Sequence, residues 1–152
     1  MPALSISELI PVLQTAIGPV ILISGVGLLL LTMTNRLGRT IDRARALAAD
    51  AAAAHPDSRR RIEAQLVILW RRANLIRLAI ALTSSSALCA ALLVIALFLT
   101  ALLHVEDAWL ISALFMLCMT LLIGSLVVFI HDINQSLSAL KLELQDHDVS
   151  ED

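Results

Sequence analysis

The residues of this chain best suited to chemistry are its ten arginines, all of which lie between positions 36 and 77. A guanidinium group binds a phosphate or a carboxylate through two parallel hydrogen bonds. The expected partners are therefore lipid phosphates at a membrane surface and acidic side chains of the same segment. We predict such lipid-phosphate or hairpin contacts for Arg36, Arg39, Asp42, Arg43, Arg71, Arg72 and Arg77.

Asp42 is the acid best placed to pair with these arginines. On a helix it lies within reach of Arg39 and Arg45. If the segment folds back on itself as an antiparallel hairpin, position 42 lies near positions 70–72, so Arg71 or Arg72 becomes another partner. We therefore expect Asp42 to help hold the two arms of the hairpin together.

A second polar group consists of Ser84 and Ser85 in an apolar run, and Glu106 and Asp107 in a short turn. If several copies surrounded a common axis, the two acids would repeat as a ring at the mouth of a pore, and such rings concentrate cations. The serines would then line the path. The simpler interpretation is that the serines hydrogen-bond to the preceding turn or to a neighbouring helix.

Signatures of catalysis and cofactor binding are missing from the sequence. It contains no G-x-S-x-G, H-E-x-x-H or C-x-x-C motif and no phosphate-binding loop. His104 beside Glu106 and Asp107 is the only metal-like cluster, and we interpret it as a polar turn. We expect no enzymatic activity, no cofactor and no metal. Because the arginines lie beside a membrane segment without interleaved aromatic residues, we expect no nucleic-acid partner.

The elements that position these residues follow from the hydropathy of the chain. Of its 152 residues, 59% are hydrophobic, above the share of about 45–50% in soluble domains. Three uncharged runs are each long enough to cross a bilayer, which takes about 20 residues, and they cover positions 12–34, 78–103 and 108–130. The predicted fold class is an all-α membrane protein, a single membrane domain with three transmembrane helices.

The two polar stretches also have helical spacing. Apolar residues recur every three or four positions in 35–77, on both sides of His55 and Pro56, which predicts a cytoplasmic helical hairpin that extends the membrane helices. The stretch 131–152 is predicted to be a cytoplasmic amphipathic helix and acidic tail, with apolar positions Ile133, Leu137, Leu140 and Leu144. Six acids and one lysine give it a net charge of −5, whereas ten arginines and four acids give the hairpin +6. The tail therefore either stays solvated or docks on the hairpin.

The distribution of charge also predicts the orientation in the membrane, because basic residues stay on the cytoplasmic side. All ten arginines lie in the hairpin, whereas the N-terminal lead-in and the turn at 104–107 contain no lysine or arginine. We predict an external N-terminus and a cytoplasmic hairpin and C-terminus. For a bacterial protein, this describes a multi-pass protein of the inner membrane.

Two motifs resemble the signature of a bacterial membrane family. The first is I-G-P-V-I-L-I-S-G-V-G-L-L-L from Ile17, and the second is T-N-R-L-G-R-T-I-D-R-A-R from Thr34. Over roughly residues 8–140 the chain is similar to domain-of-unknown-function family 2721. The resemblance implies a small bacterial inner-membrane protein with about three spans, and it implies no activity and no functional residue.

One copy with three spans is too thin to enclose a path, so we expect a homo-oligomer in contact with membrane lipids. The leading functional hypothesis is a non-enzymatic, homo-oligomeric ion-conducting pore, flanked by the acidic turn outside and the arginines inside. The alternative is a membrane scaffold or accessory subunit that binds lipid or a protein partner through the cytoplasmic hairpin.

Overall fold

The computed structural model describes residues 6–53, 55–103 and 108–148, with most of the side chains up to residue 134. These residues form three helices: α1 (Ile6–Ala53), α2 (Pro56–Leu103) and α3 (Ala108–Asp148). Within the described ranges there is no strand. The prediction of an all-α fold with three helices long and apolar enough to cross a membrane is confirmed.

The turn between α1 and α2 is short and lies at His55. The carbonyl of His55 accepts a hydrogen bond of 3.0 Å from the backbone N–H of Arg59. Pro56 begins α2, where its fixed φ and missing N–H suit a first helical position. The charged segment on both sides of this turn is therefore a continuation of the same two helices that contain the apolar runs.

The apolar parts of the three helices expose large side chains along their length. The candidate spans are Ile10–Ala52, Ser58–Leu103 and Ala108–Asn134, and their exposed residues include Ile21, Leu88 and Trp109. Soluble monomers rarely expose apolar surface on this scale. The chain is therefore a multi-pass membrane protein whose helices contact lipid.

The chain divides into two compact units, and each contains a segment of all three helices. We call Met1–Thr32 with Ile80–Gly124 the membrane unit. We call Met33–Ala79 with Ser125–Asp152 the arginine unit, because it contains all ten arginines.

The membrane unit is packed around small and polar side chains. The hydroxyl of Ser86 on α2 donates a hydrogen bond of 2.9 Å to the carbonyl of Cys118 on α3. The thiol of Cys118 donates in return to the carbonyl of Ser86 at 3.3 Å. Small side chains allow helices to approach closely in lipid, where packing rather than the hydrophobic effect drives association. Direct contacts of side chain with backbone therefore join α2 and α3 here.

Burial recurs at intervals of seven residues along α2 and α3, which is typical of helices in left-handed packing. The residues in this pattern are Leu69, Ile76, Thr83 and Ala90 on α2, and Cys118, Ser125 and Asp132 on α3. On α3 the pattern therefore continues from an apolar run to an ionisable side chain.

Candidate functional site

The arginine unit combines a buried ionic cluster with an open apolar groove. Its interior contains Met33 on α1 and Ile76 on α2, both fully buried. The hydroxyl of Ser125 on α3 donates a hydrogen bond of 2.8 Å to the carbonyl of Ala79 on α2. These contacts hold the first turns of the hairpin in place and position the charged side chains that follow.

Asp132 is the centre of the ionic cluster, and its side chain is 0% exposed. One carboxylate oxygen, Oδ2, lies 3.0 Å from Nε of Arg36 on α1. The other, Oδ1, lies 3.6 Å from Nε of Arg72 on α2. One carboxylate on α3 therefore binds a guanidinium from each of the other two helices.

The cluster also includes an aromatic contact, because the guanidinium carbon of Arg36 lies 5.7 Å from the ring centre of Phe129. Such a cation–π contact favours a charged group over the ring face. Removing a buried carboxylate from water is costly, and the cost is recovered only when oppositely charged partners are close. The position of α3 against the hairpin therefore depends on both arginines.

An apolar groove runs along the two arms of the hairpin. Its volume is about 610 Å³, and it is lined by residues 37–48 of α1 and 66–77 of α2. Trp70 and Val67 line it while being 72% and 69% exposed. Arg45 and Arg77 are the two arginines among its lining residues. The groove therefore offers an apolar surface with positive charge at its border, outside the uncharged runs.

The groove and the ionic cluster are neighbours on α2. Trp70 is separated from Arg72 by about 200° around the helix axis, at 3.6 residues per turn. Leu69 and Ala73 also line the groove, and they lie only about 60° and 100° from Arg72. Arg36 and Arg72 themselves are not among the described lining residues of the groove.

The structure distributes the residues predicted to make lipid-phosphate or hairpin contacts among three environments. Arg36 and Arg72 bind Asp132, and Arg77 lines the groove. Arg39, Arg43 and Arg71 are exposed.

Asp42 differs from the expectation that it joins the two arms. Its side chain is 77% exposed, and its Oδ1 lies 3.8 Å from Nη1 of Arg45 on the same helix. Arg72, one of its expected partners across the hairpin, pairs with Asp132 instead. A buried carboxylate attracts an arginine more strongly than one that water screens. This explains why Arg72 pairs with the buried Asp132 and not with the exposed Asp42.

The residues proposed for a pore are described only in part. Ser84 and Ser85 are exposed on α2, whereas their neighbour Ser86 is buried. Glu106 and Asp107 lie outside the described residues, as does His104. Among the described residues, no group of three His, Cys, Asp or Glu side chains is placed to hold a metal ion.

One family model matches residues 16–142, which is most of the chain. It is described as a protein of unknown function, DUF2721. The chain belongs to this family. No curated protein and no solved structure matches the chain. Membership in DUF2721 confirms the resemblance seen in the two motifs and assigns no activity, so the functional argument depends on the site itself.

The burial of Asp132 and the groove were not predicted from the sequence, although each has a recognisable signal in it. Asp132 belongs by composition to the acidic tail, although it continues the seven-residue spacing of Cys118 and Ser125. On α2 the groove is lined by Leu66, Leu69 and Ala73 of the predicted apolar spacing and by a second stripe beside it. Its members are three or four positions apart, at Val67, Trp70, Asn74 and Arg77.

Proposed function

We propose that this DUF2721 protein is a non-enzymatic membrane scaffold that docks a protein segment in the groove of its hairpin. The observation that carries the proposal is the groove of about 610 Å³, in which Trp70 and Val67 stand mostly exposed. An exposed apolar patch with a polar border is typical of an interaction surface. Aromatic residues and arginine are also the side chains most enriched where proteins bind each other.

The dimensions of the groove favour a protein segment over a lipid tail. From Leu37 to Ala48 the wall on α1 covers eleven steps of a helix, or about 16 Å at 1.5 Å per residue. This wall begins after the uncharged run ends at Asn35, so it extends away from the hydrocarbon that acyl chains occupy. An amphipathic helix lying in an apolar groove is a common mode of peptide recognition.

The proposal places the hairpin on the cytoplasmic face of a bacterial inner membrane, because all ten arginines lie between positions 36 and 77 and basic residues stay inside. A cysteine at His55 should react with an impermeant maleimide only in inverted vesicles. A cysteine at Ala108 should react only from the opposite side. Labelling of position 55 from the outside, or of position 108 from the inside, would overturn the orientation.

Two neighbouring positions on α2 give a matched test of docking. Val67 lines the groove, whereas Ile68 does not, and their exposed fractions are similar at 69% and 61%. A photoreactive amino acid at either position is irradiated in the full-length protein in native membranes. Docking predicts a discrete protein adduct from position 67 and none from position 68.

Two results of this experiment would overturn the docking proposal. Identical adduct patterns at positions 67 and 68, or no protein adduct at either, would mean that the groove has no occupant. A protein adduct at position 68 alone would place the interaction surface on another face of α2.

An oligomeric pore is the second candidate function. It is favoured by the exposed hydroxyl side chains of Ser84 and Ser85 within an apolar run of α2, because polar groups in lipid gain from lining a path or contacting another helix. Purified protein in planar bilayers should then conduct, and Ser84→Leu or Ser85→Leu should reduce the current. The absence of current at any salt concentration or voltage would exclude this function.

A further inference from the structure

We infer that the membrane unit binds one glycerophospholipid in a pocket between its three helices. An acyl chain of the lipid lies in the pocket, and an ester group accepts a hydrogen bond from Ser112. The pocket has a volume of about 430 Å³, and its described lining residues all belong to the membrane unit. None of these described residues also lines the groove of the hairpin, so the inference does not depend on the proposed docking function.

The pocket has a buried base and exposed walls. Leu93 and Leu97 on α2 form the base, and Leu93 is buried. The walls come from α1 and α3, where Thr15 and Met116 are exposed. The pocket therefore opens sideways between α1 and α3, toward the medium that surrounds the helices.

That medium is the hydrocarbon of the bilayer. All described lining residues of the pocket lie within the candidate membrane spans, and water is absent from the bilayer core. A void beside apolar side chains loses the dispersion contacts that a filled space provides. An acyl chain that enters from the side restores these contacts, so a lipid is the expected occupant.

The size of the pocket favours an acyl chain over a further helix. On α3 the wall extends from Ile111 to Met116, which is five steps or about 8 Å at 1.5 Å per residue. A helix segment of this length, about 10 Å wide with its side chains, fills about 600 Å³. This exceeds the volume of the pocket, about 430 Å³. An acyl chain is only one methylene group thick and can enter.

The pocket is polar at one end and apolar at the other. Thr15 lies five positions after the span on α1 begins at Ile10, and Ser112 lies four positions after the span on α3 begins at Ala108. Both hydroxyl groups are therefore about 6–8 Å from the end of a span, close to the level of the lipid headgroups. Met116, four positions further along α3, is about 6 Å deeper. A phospholipid has the same order of polarity from headgroup to chain.

Ser112 supplies the hydrogen-bond donor for this ligand. Two threonines of the membrane unit donate to their own helices, Thr15 to the carbonyl of Pro11 at 2.9 Å and Thr120 to that of Met116 at 2.8 Å. Within the part of the chain that the structure describes, the hydroxyl of Ser112 has no such partner. A hydroxyl group in apolar surroundings gains from a partner. The ester carbonyl of a phospholipid accepts a hydrogen bond and lies at the required depth.

Two matched pairs of positions on α3 test the site in the full-length protein. Phe115 lines the pocket and Leu117 does not, although their exposed fractions are similar at 45% and 49%. Met116 and Ile123 form a second pair, with 64% and 61% exposed. A photoreactive amino acid is placed at one position at a time. The protein is extracted from its membrane, washed in detergent to remove loosely bound lipid, irradiated and weighed intact by mass spectrometry.

A bound phospholipid predicts an adduct with the mass of one phospholipid at positions 115 and 116, at least tenfold above the yield at 117 and 123. Equal lipid yields within both pairs would overturn the inference, because the lipid would then only surround the protein. Adducts of detergent alone, or no adduct, at both pocket positions would overturn it as well. A protein adduct there would show that a helix fills the pocket instead of a lipid.

Substitutions of Ser112 test the contact with the ester group. Ser112→Ala should lower the yield of the lipid adduct at position 115 about threefold, the effect of one hydrogen bond in a membrane. Ser112→Thr keeps the hydroxyl group and should preserve the yield. The control is Ser85→Ala, because Ser85 is exposed on α2 and is not among the described lining residues. Equal yields from the two alanine variants would overturn the assignment of Ser112 as the donor.

Discussion

The membrane unit and the arginine unit are built on the same three helices but held together differently. In the membrane unit, small side chains such as Ser86 and Cys118 bind the backbone of the facing helix. In the arginine unit, a buried carboxylate binds arginines from two helices. The first arrangement depends on small side chains and a close approach of the two helices. The second uses two long side chains, which reach one carboxylate from two different helices.

The difference shows where each kind of contact is useful. In lipid, a hydrogen bond from a serine to a carbonyl avoids any charge. Beyond the apolar run, water and lipid phosphates can reach the arginines, whose side chains in the cluster are 23% and 24% exposed. Charged side chains are therefore tolerated at this end of the span. The ion pairs of Asp132 fix the direction in which α3 leaves the membrane.

The largest loss of stability is expected from Asp132→Ala, because this change leaves Arg36 and Arg72 close together without a negative charge between them. Breaking a buried ion pair costs about 3–5 kcal/mol, and we expect about 3 kcal/mol because both arginines reach water. The melting temperature in detergent should fall clearly. The matched control is Asp42→Ala, for which we expect a change within about 0.5 kcal/mol, since its side chain is 77% exposed. Equal shifts of the melting temperature in the two variants would contradict the claim that Asp132 holds the three helices together.

A smaller effect is expected in the membrane unit, where Ser86→Leu pushes α2 and α3 apart. Overpacking a tight contact costs about 1–3 kcal/mol, and the variant also loses the hydrogen bond to Cys118. Ser85→Leu is the control, because Ser85 is exposed and the new side chain extends into lipid. The comparison is a thermal melt of both variants in the same detergent. A loss of stability in Ser85→Leu alone would mean that the wrong serine had been assigned to the interior.

The smallest of these effects is predicted for Ser125→Ala, which removes one hydrogen bond to the carbonyl of Ala79. Hydrogen bonds between membrane helices contribute about 0.6 kcal/mol on average. Thr120→Val serves for comparison, because the Thr120 hydroxyl is exposed and donates to Met116 on its own helix. We expect Ser125→Ala to lower the melting temperature slightly and Thr120→Val to leave it unchanged. A larger loss of stability in Thr120→Val than in Ser125→Ala would contradict the claim that hydrogen bonds between helices stabilise the fold more than those within one helix.

Much of the fold follows from the sequence, because membrane helices are specified by length and hydropathy alone. The three uncharged runs and the heptad-like spacing of Leu37, Ile41 and Ala44 are local patterns. The class and number of helices could therefore be predicted, and the family from its motifs.

The site could be predicted only in part, because it depends on which faces of three helices meet. The arginines are recognisable, but the nearest acid in sequence, Asp42, is not the partner that the fold selects. Asp132 lies 96 positions after Arg36, and no local pattern joins them. The groove escapes prediction for a similar reason. Val67 and Trp70 lie beside the apolar spacing of α2, and only the rotation of α2 about its axis shows that they line a groove.

The most direct test of the account uses Trp70 as a reporter in the groove. Trp109 is the only other tryptophan, so Trp109→Phe leaves a single fluorophore whose side chain is 72% exposed in one copy. Quenching by acrylamide is measured in vesicles of the purified protein, where no other protein is present. An open groove predicts that acrylamide quenches Trp70 strongly and that its emission lies at long wavelength. Weak quenching with emission at short wavelength would contradict it.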